Sequence, residues 1–431
     1  MKIPLKQTKK SQWHKLDNAA KIFPANTDQR DTKVFRFSCE LYETIDAAVL
    51  QKALEKTLKK FPYYCSILKK GLFWYYLEHT PRKPTVHIEN RCPCAPLYFP
   101  NRKTLLFDIS YYQKRINLEV HHVLSDGSGA LLFLKTLVFY YILEKHKESL
   151  SDQEIFLADT TSALEKSIDS FSKYFKKEKK KNTEKSPFAY HLKGEEIGLG
   201  QMGIIEGYVS VKSMLILSRK YQATITEFIV ALWIYSIYEG MSIAEQKKPI
   251  VISVPVNLRS YFPSETTRNF FKVIQIRYFF ENQENTFETI LTCVKKEFKQ
   301  KLTAEALRIG MNTLSALEHN ITMKLVPLTI KDPILRFANW LSYQTVTSCV
   351  SNVGKITMPE KIAKYIHLFD VFVSTKTMQI ATCSFQDCFV ISITTAFSHS
   401  DLPKRFFRHM TNMGLSIEIA TNLQQEESTH V

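Results

Sequence analysis

Glycine is scarce in this chain, 12 residues in 431. That excludes collagen-like and Gly-rich designs and argues against extended disorder. No C-x-x-C pair occurs among Cys39, Cys65, Cys92, Cys94, Cys293, Cys349, Cys383 and Cys388; Cys92-Pro93-Cys94 leaves one residue between and has no matching pair. A cysteine-based zinc site is therefore not expected, and the thiols read as reduced, small hydrophobes of a cytoplasmic protein. The N-terminus, Met1-Lys2-Ile3-Pro4-Leu5-Lys6, is basic and lacks the apolar core of a signal peptide. No apolar run reaches the roughly 20 residues that cross a bilayer. The two longest, residues 130–143 (interrupted by Lys135) and 228–238, read as buried core helices, and no transmembrane segment is expected. There is no G-x-x-x-x-G-K-[ST] loop, which argues against nucleotide hydrolysis.

What the chain does contain is enough apolar material for two cores: 45% hydrophobic residues, with 29 Phe and 20 Tyr. The net charge of +16 calls for an anionic partner, whether nucleic acid, a membrane surface or a polyphosphate cofactor. Much of the excess lies in residues 173–185, where Lys176, Lys177, Lys179, Lys180, Lys181 and Lys185 outnumber Glu178 and Glu184. Such a block reads as a solvated loop. With no nucleic-acid motif beside it, no nucleic-acid partner is expected.

Strand and helix patterns alternate along the sequence. Phe35, Phe37, Cys39 and Leu41 alternate with Arg36, Ser38 and Glu40, predicting a half-buried strand. Asp46 is placed to cap a helix with Leu50, Ala53, Leu54 and Leu58 on its apolar face, and Pro62 ends it. Strands are expected near 63–67, 72–77 and 115–120. In the second half they are expected near 207–211, 249–256, 273–280, 346–350, 371–374 and 389–395, with helices near 226–239, 286–302 and 402–414. Between about 148 and 200 the composition shifts to Ser, Lys and Glu. The expected division is 1–160, a lysine-rich crossover linker at 161–200, and 201–431.

The sharpest feature is His121-His122-Val123-Leu124-Ser125-Asp126-Gly127, where an alternating strand meets an apolar helix. An alcohol or amine attacking a thioester must lose a proton, and histidine accepts one near neutral pH. Continued alternation points His122 to the face of Ile116, Leu118 and Val120, and His121 the other way. Gly127 and Gly129 let the backbone turn into the helix. H-x-x-x-D also arises by chance, and adjacent histidines can be structural. His122 and Asp126 are plausible zinc ligands, but no third ligand lies at a recognised spacing, so no metal is expected. His399 marks the turn before the last helix, with Ser400 or Asp401 as its cap.

The seven residues match the HHxxxDG signature, and the chain resembles the chloramphenicol acetyltransferase-like and condensation-domain superfamily. Val254-Pro255-Val256-Asn257-Leu258-Arg259 and Val350-Ser351-Asn352-Val353-Gly354 are similar to two further segments of it. Residues 50–62 and Phe73-Trp74-Tyr75-Tyr76-Leu77-Glu78 resemble the alcohol O-acetyltransferase branch. No D-F-G-W-G segment of the plant branch is present. The resemblance implies a two-domain α/β sandwich, each half a mixed sheet flanked by helices, with an active-site tunnel at the interface.

It further implies an acyl-CoA-dependent O-acyltransferase with His122 as general base. His121 and Gly127 would be motif positions, and Asp126 structural, tied to Arg259 by an interdomain salt bridge. Ser351 or Asn352 would donate to the oxyanion. Ser-Asn before Gly is also ordinary turn chemistry, and Arg259 read alone is also a surface residue at a strand end. No permanently bound cofactor is implied: acyl-CoA, acetyl-CoA first, is a co-substrate with a small hydroxyl or amine acceptor. The rivals are an amide-forming condensation enzyme fed by a separate acyl-carrier protein, and a non-catalytic relative that binds a lipid- or polyketide-like ligand or a protein.

Overall fold

The computed structural model describes residues 13–150, 170–174, 187–280, 284–309, 311 and 325–423. Strands β1 (Trp13–Lys15), β3 (Ser66–Lys70) and β4 (Tyr75–His79) make a small antiparallel sheet. Strands β2 (Val34–Leu41), β5 (His87–Ile88), β6 (Phe107–Tyr112), β7 (Arg115–His121) and β12 (Ile366–Val373) form a mixed sheet in the order β12-β2-β7-β6-β5. The third sheet joins β8 (Gly203–Ser210), β9 (Ile250–Asn257), β10 (Phe271–Tyr278), β11 (Ser348–Ile356), β13 (Met378–Phe385), β14 (Cys388–Thr395) and β15 (Glu418–Thr421). Its order is β10-β9-β11-β13-β14-β8-β15, with β11 parallel to both neighbours and the other pairs antiparallel.

Helix α1 (Ala47–Lys60) begins where Asp46 accepts from the amides of Ala48 and Val49 at 2.8 and 3.0 Å. It packs its buried Leu50, Ala53 and Leu54 toward α2 (Gly127–Lys145). By length and composition α2 is apolar enough to cross a membrane. Here it is a core helix, because Phe133, Leu134, Leu137 and Val138 are all fully buried against α1 and β2. In the second half, helix α3 (Val211–Lys220) precedes α4 (Ile225–Tyr238), whose start is fixed by a reciprocal Thr224–Glu227 capping box. The buried Trp233 of α4 donates Nε1–H to Ser348 Oγ at 2.9 Å, fastening helix to sheet. Helices α5 (Phe287–Lys301) and α7 (Asp401–Asn412) pack on α4, whereas α6 (Leu328–Tyr343) packs apart from them on the segment at residues 24–26.

Three expectations need correction. Strand β2 is buried on both faces, not one: Arg36 sits inside, ion-paired with Glu119 at 2.9 Å and with Glu89. The division at residues 160 and 201 does not sort the strands, because β12, from the second span, hydrogen-bonds along β2 as an edge of the first sheet. A composition shift marks a linker but cannot show a strand returning later in the chain. Finally, β7 stops at His121, so His122 opens a turn instead of extending the strand, with Leu124 N–H bonding back to His121 O. The lysine run from Lys176 to Lys185 lies outside the described residues.

Candidate active site

The adjacent histidines have different surroundings. His121 is fully buried. Its Nδ1 accepts from Val123 N–H at 3.1 Å, leaving Nε2 to donate to Thr27 Oγ1 at 3.1 Å. Both nitrogens are committed, and His121 ties the motif turn to the segment at residues 24–27. Burial, then the neighbouring His122, lowers its pKa to about 3, so it is neutral.

His122 is held differently. Its amide donates to Lys33 O at 2.8 Å and its carbonyl accepts from Asn269 Nδ2 at 2.9 Å, which fixes the backbone. The ring lies among Phe35, Phe23 and Phe271, with centroid separations of 4.6, 5.2 and 6.0 Å. Desolvation outweighs the raising influence of Asp126, and the pKa falls to about 4. Imidazole Nδ1 is buried without a hydrogen-bond partner, while the residue keeps partial exposure. The side chain of Asn269 lies near enough to favour the ring's charged form, although Asn269 Oδ1, like His122 Nδ1, is buried without a hydrogen-bond partner. This arrangement is a neutral imidazole in an apolar cage, able to accept a proton.

Asp126 spends its carboxylate on four hydrogen bonds, none of them to that ring. Its side chain caps α2 through Gly129 N–H at 2.9 Å and accepts Phe270 N–H at 2.9 Å. Arg259 reaches it with Nη1 at 2.8 Å and Nη2 at 3.3 Å. Arg259 also donates to the carbonyls of Thr266 and Arg268 at 2.7–3.0 Å. One guanidinium thus grips the motif and a second segment together.

That second segment, Thr266-Thr267-Arg268-Asn269-Phe270, was not singled out in the sequence. All five residues are buried although four are polar. Thr267 O receives hydrogen bonds from Ser125 Oγ at 2.5 Å and Tyr63 OH at 3.1 Å. Asn269 Nδ2 also reaches Asp17 Oδ2 at 3.1 Å. A polar run before a strand reads as a surface loop, and only its three-dimensional partners make burial tolerable.

Neither glycine of the turn has a positive φ, and only Gly129 is required for its size. A Cβ on Gly129 would sit 1.9 Å from Thr267 O, whereas one on Gly127 would meet only the Phe37 ring, at an ordinary 3.8 Å. Asn257, in the segment ending at Arg259, donates to Ser128 Oγ at 3.0 Å. Asn352 spends its amide on Thr226 Oγ1 and its oxygen on Gly354 N–H, both at 2.8 Å, and a bulge follows in β11. Asn352 thereby links β11 to the start of α4 and shapes the turn at Gly354 (φ +85°). Ser351, half-buried one position earlier, has no such commitment of its hydroxyl among the described residues. His399 does mark the turn before α7, its Nε2 3.2 Å from Lys193 O, but Ser400 makes no side-chain cap. A cavity of about 430 Å³ lies at the other end of β7, around Arg115, Glu206 and Tyr208; His122 is not among its lining residues. Among the described residues no cluster of three metal-ligating side chains occurs.

No protein-family model and no curated protein matches the sequence. Solved structures do match over almost the whole chain. Trichothecene 15-O-acetyltransferase TRI3 from Fusarium sporotrichioides is 10% identical, covering 93% of this chain and 94% of its own with a TM-score of 0.62. TRI101 of the same fungus, solved with coenzyme A and T-2, is 10% identical over 94% of this chain and all of its own, also with a TM-score of 0.62. The first condensation domain of the calcium-dependent antibiotic synthetase, solved with a substrate analogue, is 15% identical over 94% and 96%, with a TM-score of 0.61. The chain therefore has the two-domain fold of the chloramphenicol acetyltransferase-like and condensation-domain superfamily.

Proposed function

We propose that the protein is an acyltransferase that moves an acyl group from a CoA thioester to a hydroxyl acceptor, with His122 as general base. The observation that carries this reading is the neutral His122 imidazole held among Phe35, Phe23 and Phe271, beside an Asp126 turned onto Arg259. A carboxylate so occupied does not compete for the acceptor's proton.

In the proposed step the acceptor O–H gives its proton to His122 as its oxygen bonds to the thioester carbonyl carbon. The carbonyl electrons move to oxygen, and Ser351 is our candidate donor to that oxyanion. Collapse breaks the C–S bond, and the departing thiolate takes the proton back from His122. No covalent acyl-enzyme forms. Base catalysis of this kind contributes roughly 10²–10⁴-fold, and positioning of two bound substrates supplies much of the rest. The CoA found with TRI101 supports the donor class.

The likeness to a condensation domain favours a second reading, amide formation from a carrier-bound thioester, which would use the same base. One experiment tests both: thiol release from acetyl-CoA, longer acyl-CoAs and a pantetheine-loaded carrier, against alcohols and amines. Acceptor-dependent release by the wild type, lost in a folded His122→Ala protein, is expected. Equal rates in the two would overturn the role given to His122.

A further inference from the structure

Helix α6 buries two of its three charged residues. Lys331 is buried, its Nζ 2.8 Å from Phe73 O and 3.5 Å from the centre of the Trp74 ring. Asp332 is buried too, accepting from Tyr75 OH at 2.9 Å. Most of its apolar residues, Leu328 excepted, face outward. Ile330, Ile334, Phe337 and Leu341 recur at the spacing of one helical face and are 57, 49, 61 and 39% exposed; Trp340, stacked on Phe337, is 52% exposed. The tip between β3 and β4 continues this surface, since Leu328 N–H bonds to Leu72 O and Leu72 is 69% exposed.

A soluble protein rarely leaves a continuous apolar stripe uncovered without use for it. Burying Lys331 and Asp332 while exposing Phe337 and Trp340 inverts the pattern that folding alone would favour. Two cations flank the stripe: Arg336, the one exposed charged residue of α6, and Lys70, which pairs with Asp332 at 3.3 Å and keeps its side chain 53% exposed. Aromatic and aliphatic side chains outward with cations at the margin is the composition of a helix that lies in a lipid headgroup layer.

We infer that α6 and the β3–β4 tip form a docking surface for an anionic lipid membrane. The surface adjoins the candidate site: Arg336 Nε donates to Ala25 O at 2.9 Å, two residues from Phe23, whose ring packs on His122. Docking would set that wall of the site against the bilayer.

The test is flotation of the full-length protein with vesicles of phosphatidylcholine alone and of phosphatidylcholine with phosphatidylglycerol. Flotation with the anionic vesicles is expected, reduced about fivefold by Lys70→Ala and abolished by combined Phe337→Ser and Trp340→Ser. Those two side chains are exposed, so the melting curve of the double variant should match the wild type, and His122→Ala should float normally whatever becomes of the catalytic reading. Failure of the wild type to float with either vesicle overturns the proposal. So does a wild-type dimer that the double substitution converts to monomer without any vesicle binding, which would make the face a self-association surface.

Discussion

Arg259 and Asp126 meet at 2.8 Å across 133 residues of sequence, and each holds backbone as well as the other's charge. With side chains 15% and 5% exposed, the pair is largely removed from water. Asp126→Ala or Arg259→Ala leaves a buried charge alone, and a loss of about 3–5 kcal/mol is expected. Denaturant titration of each variant measures it. Because both residues also fix the 266–270 segment, Arg259→Lys should recover little: an ammonium cannot span Asp126 and the two carbonyls together.

Acid should weaken the protein before it reaches ordinary carboxylate pKa values. His121 is held neutral, at about 3, against 6.5 when free. As pH drops below 6.5 the unfolded chain takes up a proton that the folded protein refuses, so stability falls with pH. The contribution is fully present above pH 6.5 and is lost on the way to about 3. The slope is about 1.4 kcal/mol per pH unit for this group, and His122 adds to it in the same direction down to about 4. Denaturant melts between about pH 7 and pH 5 should show His121→Asn less pH-dependent than the wild type.

Asn269 is the positioning residue to test. It bonds the His122 carbonyl and favours the charged ring, so Asn269→Ala should lower the His122 pKa further and loosen the imidazole. With the activity assay above, kcat should fall roughly 10–100-fold while KM for acyl-CoA moves little. The acid limb of the rate profile should shift down. A change in KM alone would mark Asn269 as a packing residue.

The two glycines of the motif turn should separate. Gly129→Ala drives a methyl onto Thr267 O, a backbone atom that cannot step aside, and a loss of about 1–3 kcal/mol or more is expected. Gly127→Ala meets an ordinary contact and should leave the melting temperature unchanged. Thermal melts of both variants decide the point.

What was legible in the sequence tracks which physics is local. Asp46 as a helix cap and a strand at β7 can be read from neighbours in the chain, and both are found, although β7 is buried on both faces and its Asn117 and Glu119 lie inside. The pairing of Asp126 with Arg259 came through family resemblance, since no periodicity connects them. Strand β13 was not anticipated because Met378–Phe385 is buried on nearly every side and shows no alternation. Helix α6 escaped for a related reason: Pro333 lies within it, and its apolar stripe faces solvent, so the usual rule would turn the helix around. The 266–270 segment hides best, because polar residues become buried only when Arg259, Ser125 and Tyr63 arrive to satisfy them.

Strand β12 gives the molecule the logic of a split protein. The first 160 residues, made alone, would fold around a sheet whose β2 edge has lost its neighbour, baring a ladder flanked by Phe35 and Phe37. An open edge of that kind recruits other strands and aggregates. Supplied in trans, a fragment carrying Ile366–Val373 restores the ladder by strand complementation. Cutting the chain between the halves therefore leaves them clasped, and separating them costs the first half a strand.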